Sequence, residues 1–361
     1  MNRRVKFPTK NGLIEIGEGL PTYFISEIGL NHNGSEELAK EMIYQSALSG
    51  ATFVKFQKRS PSDLATASFL DAPFEKCPVL GSTQREVRER LELPLDMYIR
   101  LREYAESLGL VFFASAFDLP SLHFLFEAGI NIIKIASHSI TNGPLLYELA
   151  ERKTPVIVSL GGTTAKERDL ALSVLKDNEM VLLHCVSAYP TPDSLVKIDT
   201  IRELKERYNV PVGFSSHEVG IDISVAASLL GACMIERHFT LKKSMVGLDH
   251  GISLEPGEFS KMANKISRLR QIRGKVEDIQ DAEKAAKNAY HVAICAAKKI
   301  SKGTKITQDL LVCKQPLGDS AIYFTGMEVS VILGSIALID LDADKAIPRD
   351  SVVFKAENEI N

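Results

Sequence analysis

Short apolar runs alternate with longer segments of helical spacing from residue 23 to about residue 273. Each run is bounded by turn residues, which is typical of a strand that is buried on both faces. The predicted strands cover residues 23–28, 52–56, 110–115, 130–136, 155–159, 181–185, 210–217 and 231–238. The segments that follow them predict helices over residues 35–49, 95–108, 120–128, 143–152, 164–177, 198–208, 221–230 and 258–273.

This alternation is the pattern of an α/β protein with a parallel sheet. Eight successive β/α units in roughly 250 residues match the size and the unit count of a (β/α)₈ TIM barrel. A doubly wound open sheet is the structural alternative, but eight units of this total length favour closure. We therefore predict one barrel domain over residues 21–273.

The segments outside this alternation predict three further parts. Residues 1–20 are polar and contain glycine, which predicts an N-terminal hairpin over one end of the barrel. The connection over residues 57–93 is long and rich in charge, so we interpret it as a partly helical lid or binding loop. Residues 274–289 are strongly charged and predict a solvated helix or linker. Residues 290–361 predict a small, mostly β domain, with short strands at 291–297, 302–304, 310–314 and 335–338.

The composition describes an ordinary globular protein, with 45% hydrophobic and 25% charged residues among 361. A formal net charge of -3 gives no electrostatic basis for binding nucleic acid or an anionic membrane surface. No apolar run is long enough to cross a bilayer, and no apolar stretch follows the basic N-terminus as in a secretory signal. Five scattered cysteines lack zinc-site spacing and are typical of reduced thiols, so we expect a cytoplasmic protein.

Histidines end the last two predicted strands of the barrel. His217 closes the seventh strand and His238 the eighth, and the helix between them completes one βαβ unit. Neighbouring parallel strands lie about 5 Å apart, so both imidazoles emerge at the carboxyl edge, where α/β folds place their chemistry. With Glu236 and Asp249 nearby, the pair predicts a site for one divalent metal. The alternative is that each histidine only satisfies local hydrogen bonds.

Two lysines end apolar strands that open into the same mouth of the predicted barrel. Lysine is rarely buried unless it is paired, and Lys55 and Lys134 each follow an apolar run. Hydroxyl groups stand at strand ends around the same mouth, at Ser115, Ser137, Ser159, Ser187 and Ser215. Such a set suits a small, highly anionic ligand such as a phosphate ester. The alternatives are a local ion pair at each lysine, or a Schiff-base lysine of the aldolase type.

Five sequence blocks occur in an order that is specific as a set. They are residues 24–34 (FISEIGLNHNG), 50–57 (GATFVKFQ), 184–190 (HCVSAYP), 235–240 (IERHFT) and 247–253 (GLDHGIS). Together they resemble the sialic acid synthase family, strongly over residues 23–259. The C-terminal segment is more weakly similar and resembles the antifreeze-like (SAF) domain that these enzymes carry.

This resemblance implies condensation of phosphoenolpyruvate with an N-acylated amino hexose, which gives a nine-carbon 2-keto-3-deoxy acid and phosphate. It implies that His217 and His238 hold Mn²⁺, with Mg²⁺ or Co²⁺ as alternatives, and that the metal polarises the sugar aldehyde. Glu27 is expected to move protons or to stabilise positive charge at carbon 2. The residues expected to bind phosphoenolpyruvate are Lys55, Ser115, Lys134, Ser137, Ser159, Ser187 and Ser215. Those expected to shape the sugar pocket are Gln57, Phe117, Tyr189, Glu236 and Asp249.

Three positions depart from the family pattern. Ser139 stands where some relatives carry a glutamate, which leaves His138 or Glu27 to position water. Ser216 stands where the family has an aspartate that could orient the first metal ligand. The resemblance implies a domain-swapped homodimer, in which an arginine of the small domain reaches the partner's N-acyl sugar, and here Gln315 occupies that position. A neutral amide makes a modified sugar, such as a 2,4-diacetamido-6-deoxy hexose, at least an equal candidate to N-acetylmannosamine.

Two other functions stay open on the sequence. One is a different barrel reaction on a phosphosugar, either an aldolase that uses Lys134 or a keto-deoxy sugar phosphate synthase with a shorter product. The other is a non-catalytic sugar-binding or assembly protein that has kept the fold, which the replacements at Ser139, Ser216 and Gln315 would permit. Borohydride trapping separates the aldolase, and metal-dependent turnover would exclude the non-catalytic protein.

Overall fold

The computed structural model describes residues 4–317 and 320–354, apart from the side chain of Ser320. The chain divides into two compact units, with the boundary between Arg273 and Gly274. Within the described residues, no helix is both long and apolar enough to cross a bilayer.

An antiparallel hairpin opens the chain, as the polar N-terminal segment predicts. It consists of β1 (Arg4–Thr9) and β2 (Gly12–Gly17), and its side chains Phe7 and Ile16 are fully buried in the core of the barrel. The Lys6 backbone N–H donates to the Glu179 carboxylate at 2.8 Å, immediately before a barrel strand begins. The hairpin therefore closes the amino-terminal end of the barrel, opposite the strand ends that carry the predicted chemistry.

Eight parallel strands form a closed barrel, which confirms the (β/α)₈ fold and excludes the open sheet. The strands are β3 (Tyr23–Gly29), β4 (Phe53–Lys58), β5 (Val111–Ala116), β6 (Ile133–Ile135), β7 (Val156–Ser159), β8 (Met180–Cys185), β9 (Val212–Ser216) and β10 (Met234–His238). Strand β10 pairs in parallel with both β9 and β3, so the ring has no free edge. The strands are almost entirely buried because the barrel interior covers one face and the helices cover the other.

Helices connect the barrel strands and surround them. They are α1 (Glu36–Leu48), α2 (Pro61–Leu64), α3 (Ala67–Leu70), α4 (Gln84–Leu91), α5 (Leu95–Ser107), α6 (Leu119–Glu127), α7 (Gly143–Glu151), α8 (Ala165–Val174), α9 (Asp193–Val196), α10 (Thr200–Tyr208), α11 (Asp222–Leu229) and α12 (Pro256–Ile272), with 3₁₀ turns at Ser137–Ser139 and His250–Ile252. Strand β6 is shorter than the predicted 130–136. The Ile130 N–H donates to Leu125 O at 2.9 Å and so completes the end of α6 instead of joining the sheet.

The long connection after β4 is partly helical, as predicted, and contains α2, α3 and α4. It has a small apolar core of Cys77, Leu80, Val87 and Leu91, which we call the lid cluster. Leu30, Phe74 and Leu248 pack against the lid cluster, and Leu30 and Leu248 belong to the loops that follow β3 and β10. The connection is thus packed onto the carboxyl-terminal end of the barrel.

The second unit is built from short elements around its own apolar core. They are α13 (Asp281–Tyr290), β11 (Ala293–Ala296), β12 (Leu311–Lys314), α14 (Val329–Ile332), β13 (Ile336–Ala337) and β14 (Val352–Val353), with 3₁₀ turns at Gln308–Leu310, Ser320–Ile322, Gly326–Glu328 and Arg349–Ser351. β11 pairs with β12, and β13 with β14, both antiparallel. The strand predicted at 302–304 is wrong. Gly303 has a φ of +81° and the Thr304 N–H donates to Ser301 O at 3.1 Å, which makes this segment a tight turn.

Candidate active site

The carboxyl ends of the barrel strands surround a cavity of about 560 Å³. Nearly all the predicted site residues line it: Glu27, Lys55, Gln57, Ser115, Phe117, Lys134, Ser137, Ser159, Ser187, Tyr189, Ser215, His217, Glu236, His238 and Asp249. Their convergence follows from closure of the barrel, because residues at equivalent positions of parallel strands come to the same edge. Gln315 belongs to the second unit, where its side-chain amide donates to Tyr290 O at 3.0 Å.

The two predicted lysines both form ion pairs inside this cavity. Lys55 Nζ lies 2.8 Å from Glu27 Oε2 and donates to Ser115 Oγ at 3.2 Å. Lys134 Nζ donates to Glu236 Oε1. The local ion pairs that the sequence left as an alternative are therefore present, and the lysine side chains line the cavity as well. The lysines and the two carboxylates balance each other in charge.

Glu236 has a larger role than the sequence suggested. Its Oε1 accepts from Lys134 and from Ser215 Oγ at 3.1 Å, and it lies 3.8 Å from Lys55 Nζ. Burial raises the pKa of Glu236, but the ammonium groups of Lys134 and Lys55 outweigh burial and lower the pKa to about 2. Glu236 is thus an ionised counter-ion shared by both lysines. Its Oε2 is buried without a hydrogen-bond partner in the described structure.

Hydroxyl groups at the ends of β6, β7 and β8 line the cavity on the side across from Glu236. Ser137 Oγ accepts a hydrogen bond from the Gly161 N–H at 3.0 Å, and Ser159 Oγ is buried with no partner among the described residues. A Cβ on Gly161 would lie 2.6 Å from Ser187 Oγ and 3.0 Å from Ser137 Oγ. Only glycine therefore leaves both hydroxyls where they are.

The two histidines lie side by side, as the βαβ unit predicts, with ring centroids 5.5 Å apart. His217 Nδ1 is 3.1 Å from Val186 O, so Nδ1 carries the hydrogen and Nε2 keeps a free lone pair. Burial, together with the neighbouring His238, lowers the pKa of His217 to about 3, so the ring is neutral. His238 Nδ1 is buried without a hydrogen-bond partner in the described part of the chain, and Asp249 Oδ2 is 3.9 Å away.

This donor set fits a divalent metal that keeps open coordination positions. Two adjacent imidazoles are suitable ligands, and the unpartnered nitrogen of His238 is explained if it binds a ligand. Among the described residues, no three His, Cys, Asp or Glu side chains converge closely enough to hold an ion by themselves. Water or substrate would complete the coordination of such a metal.

The structure corrects the expected effect of Ser216. Successive residues of a strand face opposite sides, so Ser216 points away from the cavity while its neighbours Ser215 and His217 line it. Ser216 Oγ lies 3.4 Å from Ser224 Oγ, in a buried network that includes the ion pair of Arg237 and Glu218. A carboxylate at this position would join that network and would not contact His217. The carbonyl of Val186 orients His217 instead.

The structure also places the other departures from the family pattern. Ser139 Oγ is buried with no partner in the described structure, and Ser139 is not part of the cavity wall, whereas His138 is. The His138 ring stacks on Phe117 with centroids 4.8 Å apart. In the second unit, two cations are held in ion pairs. Lys314, which precedes Gln315 in the sequence, pairs with Asp344, and Arg349 pairs with Glu328 at 2.6 Å.

Several wall residues were not anticipated from the sequence. They are Leu30, Arg59, Phe74, Lys76, Ala136, Cys185, Gly247, Leu248 and Ile252. Arg59 follows the block 50–57 by two residues and comes directly after β4. That position at a strand end could have identified it as a residue of the cavity wall. Phe74 and Lys76 lie in the long connection, whose path over the barrel cannot be read from local patterns.

Comparison with known proteins gives a consistent result. The sequence model described as the NeuB family matches residues 42–278. The N,N'-diacetyllegionaminic acid synthase of Campylobacter jejuni is 36% identical over 335 residues, which cover 90% of this chain and 98% of that protein. The human N-acetylneuraminate-9-phosphate synthase is 32% identical, covering 93% of this chain and 94% of that protein.

Solved structures agree with the sequence comparison. The crystal structure of the N-acetylneuraminic acid (sialic acid) synthetase of Leptospira borgpetersenii, in complex with citrate, superposes with a TM-score of 0.68 at 33% identity. The match covers 79% of this chain and 96% of that one. The family model ends at residue 278, so the antifreeze-like character of residues 290–361 stays a prediction. The chain itself belongs to the NeuB family and is an enzyme of the sialic acid synthase type.

Proposed function

We propose that this chain condenses phosphoenolpyruvate with an N-acylated amino hexose, either N-acetylmannosamine or a 2,4-diacetamido-6-deoxy hexose. The products are a nine-carbon 2-keto-3-deoxy acid and phosphate. One observation carries the proposal: an anion-binding group of two lysines and five serines shares a single cavity with two histidines, of which His217 is neutral. The first group suits a phosphate ester and the second suits a metal-assisted reaction of a sugar aldehyde.

Phosphoenolpyruvate would bind on the β4 to β9 side of the cavity. Lys55 and Lys134 provide two ammonium groups there, but Glu27 and Glu236 already balance their charge. The additional attraction must come from neutral donors, and the serine hydroxyls supply these. Ser159 Oγ supports this role because it is buried with no partner among the described residues, which is costly unless a ligand accepts its hydrogen bond.

The reaction forms one carbon–carbon bond and breaks one carbon–oxygen bond. Carbon 3 of phosphoenolpyruvate attacks the aldehyde carbon, whose oxygen takes up a proton to become a hydroxyl. Water adds to the positively charged carbon 2 and releases a proton. Phosphate then departs with the bridging oxygen and takes the proton of the new hydroxyl, which leaves the 2-keto group. Glu27 would accept the proton that the water releases or stabilise the charge. Its carboxylate is held in place by Gln57, which donates to Oε1 at 2.5 Å, and by Lys55 beside Oε2.

His217 and His238 would hold Mn²⁺, or Mg²⁺ or Co²⁺ in its place. When bound, such an ion supplies Lewis-acid polarisation of the sugar aldehyde. The chain's own contribution is orientation: the carbonyl of Val186 fixes the tautomer of His217, and Asp249 stands beside His238. Tyr189, with its ring centroid 4.1 Å from that of His217, forms the adjacent wall of the proposed sugar pocket.

The test is phosphate release from phosphoenolpyruvate with Mn²⁺ across a panel of sugars. The panel contains N-acetylmannosamine, its 6-phosphate and the 2,4-diacetamido-6-deoxy hexoses. We expect release with one of them, and loss of release on adding a chelator or in His217→Ala. The matched control is His123→Ala, a half-exposed histidine on the outer helix α6, which should leave the rate unchanged. Absence of release with every sugar would refute the proposal.

We also propose a domain-swapped homodimer, with residues 290–361 as an antifreeze-like (SAF) domain. The support is the resemblance of the sequence to the sialic acid synthase family. Analytical ultracentrifugation of the full chain should give twice the 39.7 kDa mass of one chain. A species of single-chain mass at micromolar concentration would contradict this proposal.

A further inference from the structure

Arg59 lines the active-site cavity, and none of the described carboxylates forms an ion pair with its guanidinium. Its guanidinium donates to Gln57 Oε1 and lies over the ring of Phe117, with Cζ 3.9 Å from the ring centroid. The nearby Glu92 carboxylate does not pair with the guanidinium. It accepts instead from Lys58 Nζ at 2.8 Å and from the Arg59 backbone N–H at 3.1 Å.

One nitrogen of this guanidinium has no hydrogen-bond partner. Within the described structure, Arg59 Nη1 is buried and donates a hydrogen bond to no acceptor. Buried donors are nearly always satisfied, so an unsatisfied one beside a cavity indicates a group that binds there. Burial also lowers the pKa of Arg59, which agrees with a desolvated position. An acceptor atom of a ligand would satisfy this nitrogen.

Arg59 also borders a second, smaller space. A side chamber of about 160 Å³ lies under the lid cluster, and it shares Leu30, Arg59, Phe74 and Leu248 with the main cavity. Val87 and Leu91 extend its apolar wall, and Gln84, Arg88 and Glu92 form the polar part of the lining. A single water needs only about 10–15 Å³ by this measure, so the chamber has room for a short hydrocarbon chain.

A carbonyl acceptor next to a short apolar chain is the chemistry of an N-acyl group. The carbonyl oxygen satisfies a donor such as Arg59 Nη1, and the alkyl part prefers the apolar side of the chamber. Gln57 links this corner to the reaction centre, because it accepts from Arg59 and donates to Glu27 at 2.5 Å. Arg59 is therefore linked to the predicted catalytic carboxylate of Glu27 through a single residue, Gln57.

We propose that Arg59 and the side chamber form the subsite for an N-acyl substituent of the acceptor sugar. This inference rests on the proposed function and adds a specificity-determining residue to it. It assigns the acyl carbonyl to Arg59 Nη1 and the alkyl part to the wall of Leu30, Phe74, Val87, Leu91 and Leu248. This contact would replace the one that the resemblance assigns to an arginine of the small domain, whose position Gln315 occupies here. An acyl chain longer than acetyl should then be accepted.

The test compares acceptor KM values for N-acetyl, N-propionyl and N-butanoyl forms of the sugar that supports phosphate release. Wild-type protein should use all three within about threefold, and removal of the acyl group should raise KM by about tenfold or more. Arg59→Gln should raise the acceptor KM by about tenfold while KM for phosphoenolpyruvate stays within twofold, and Arg59→Lys should recover part of the loss. Leu91→Phe, which fills the chamber, should reject the longer acyl chains selectively.

The matched control is Arg85→Gln, which removes a partly exposed arginine of α4 that pairs with Asp71 at 2.8 Å. It should leave every KM unchanged. Normal turnover with an unchanged acceptor KM in Arg59→Gln would overturn the inference. A penalty confined to a phosphorylated acceptor would also overturn it, since Arg59 would then bind an anion. Absence of wild-type turnover with every sugar is a different result, and it would refute the proposed function as well.

Discussion

Gly161→Ala is the substitution whose effect on substrate binding follows most directly from the geometry. The added Cβ would lie 2.6 Å from Ser187 Oγ, 3.0 Å from Ser137 Oγ and 3.1 Å from Cys185 O. The Cys185 carbonyl belongs to β8 and cannot rotate away, so the two hydroxyls must move. These are two of the hydroxyls that we propose bind phosphoenolpyruvate.

The size of the effect can be worked from the contacts that would be lost. A hydrogen bond to a charged group contributes about 1.5–3 kcal/mol, so losing one raises KM for phosphoenolpyruvate by about tenfold to 150-fold. Loss of both would give more. Overpacking itself costs about 1–3 kcal/mol of folding free energy, which lowers Tm by only several degrees in a chain of this size.

The assay is initial-rate phosphate release at saturating sugar, together with a thermal melt to verify folding. The control is Gly257→Ala in the first turn of α12, where the ideal Cβ position has no heavy atom within 4 Å. That variant should keep the wild-type KM and gain up to about 1 kcal/mol of stability. A folded Gly161→Ala protein with wild-type KM for phosphoenolpyruvate would refute our assignment of Ser137 and Ser187.

Three further predictions concern the buried ion pair, the metal and the lysine chemistry. Arg237→Met should lower the free energy of unfolding by about 3–5 kcal/mol in urea titrations, because it leaves Glu218 charged and buried. The control is Arg207→Met at an exposed ion pair, which should lower the free energy of unfolding by at most about 1 kcal/mol. Equal losses in the two variants would contradict this prediction. His238→Ala should reduce bound manganese, measured by elemental analysis after dialysis, from one ion per chain to well below one, and full occupancy would remove His238 from the ligand set. Borohydride with either substrate should leave Lys134 unmodified by mass spectrometry, and a reduced adduct there would support the aldolase mechanism instead.

Some features of the site depend only on local sequence and could be predicted from it. His217 and His238 end two strands joined by one helix, and a βαβ unit places such strands side by side. The (β/α)₈ barrel followed from eight repeats of one pattern, and with it came the convergence of Lys55 and Lys134 at one mouth. Each of these inferences uses a periodicity or a chain direction that neighbouring residues determine.

Other features depend on which side chains meet across the barrel, and local patterns do not contain that information. Glu236 meets Lys134 although they are 102 positions apart and lie on strands that are not neighbours. Arg59 lines the cavity, and its Nη1 has no partner among the described residues. The path of the long connection that bounds this part of the cavity is set by distant apolar contacts. The sequence by itself therefore determined the barrel and the list of residues at its mouth. Only the tertiary structure decided how those residues pair, because pairing depends on distances through the closed interior.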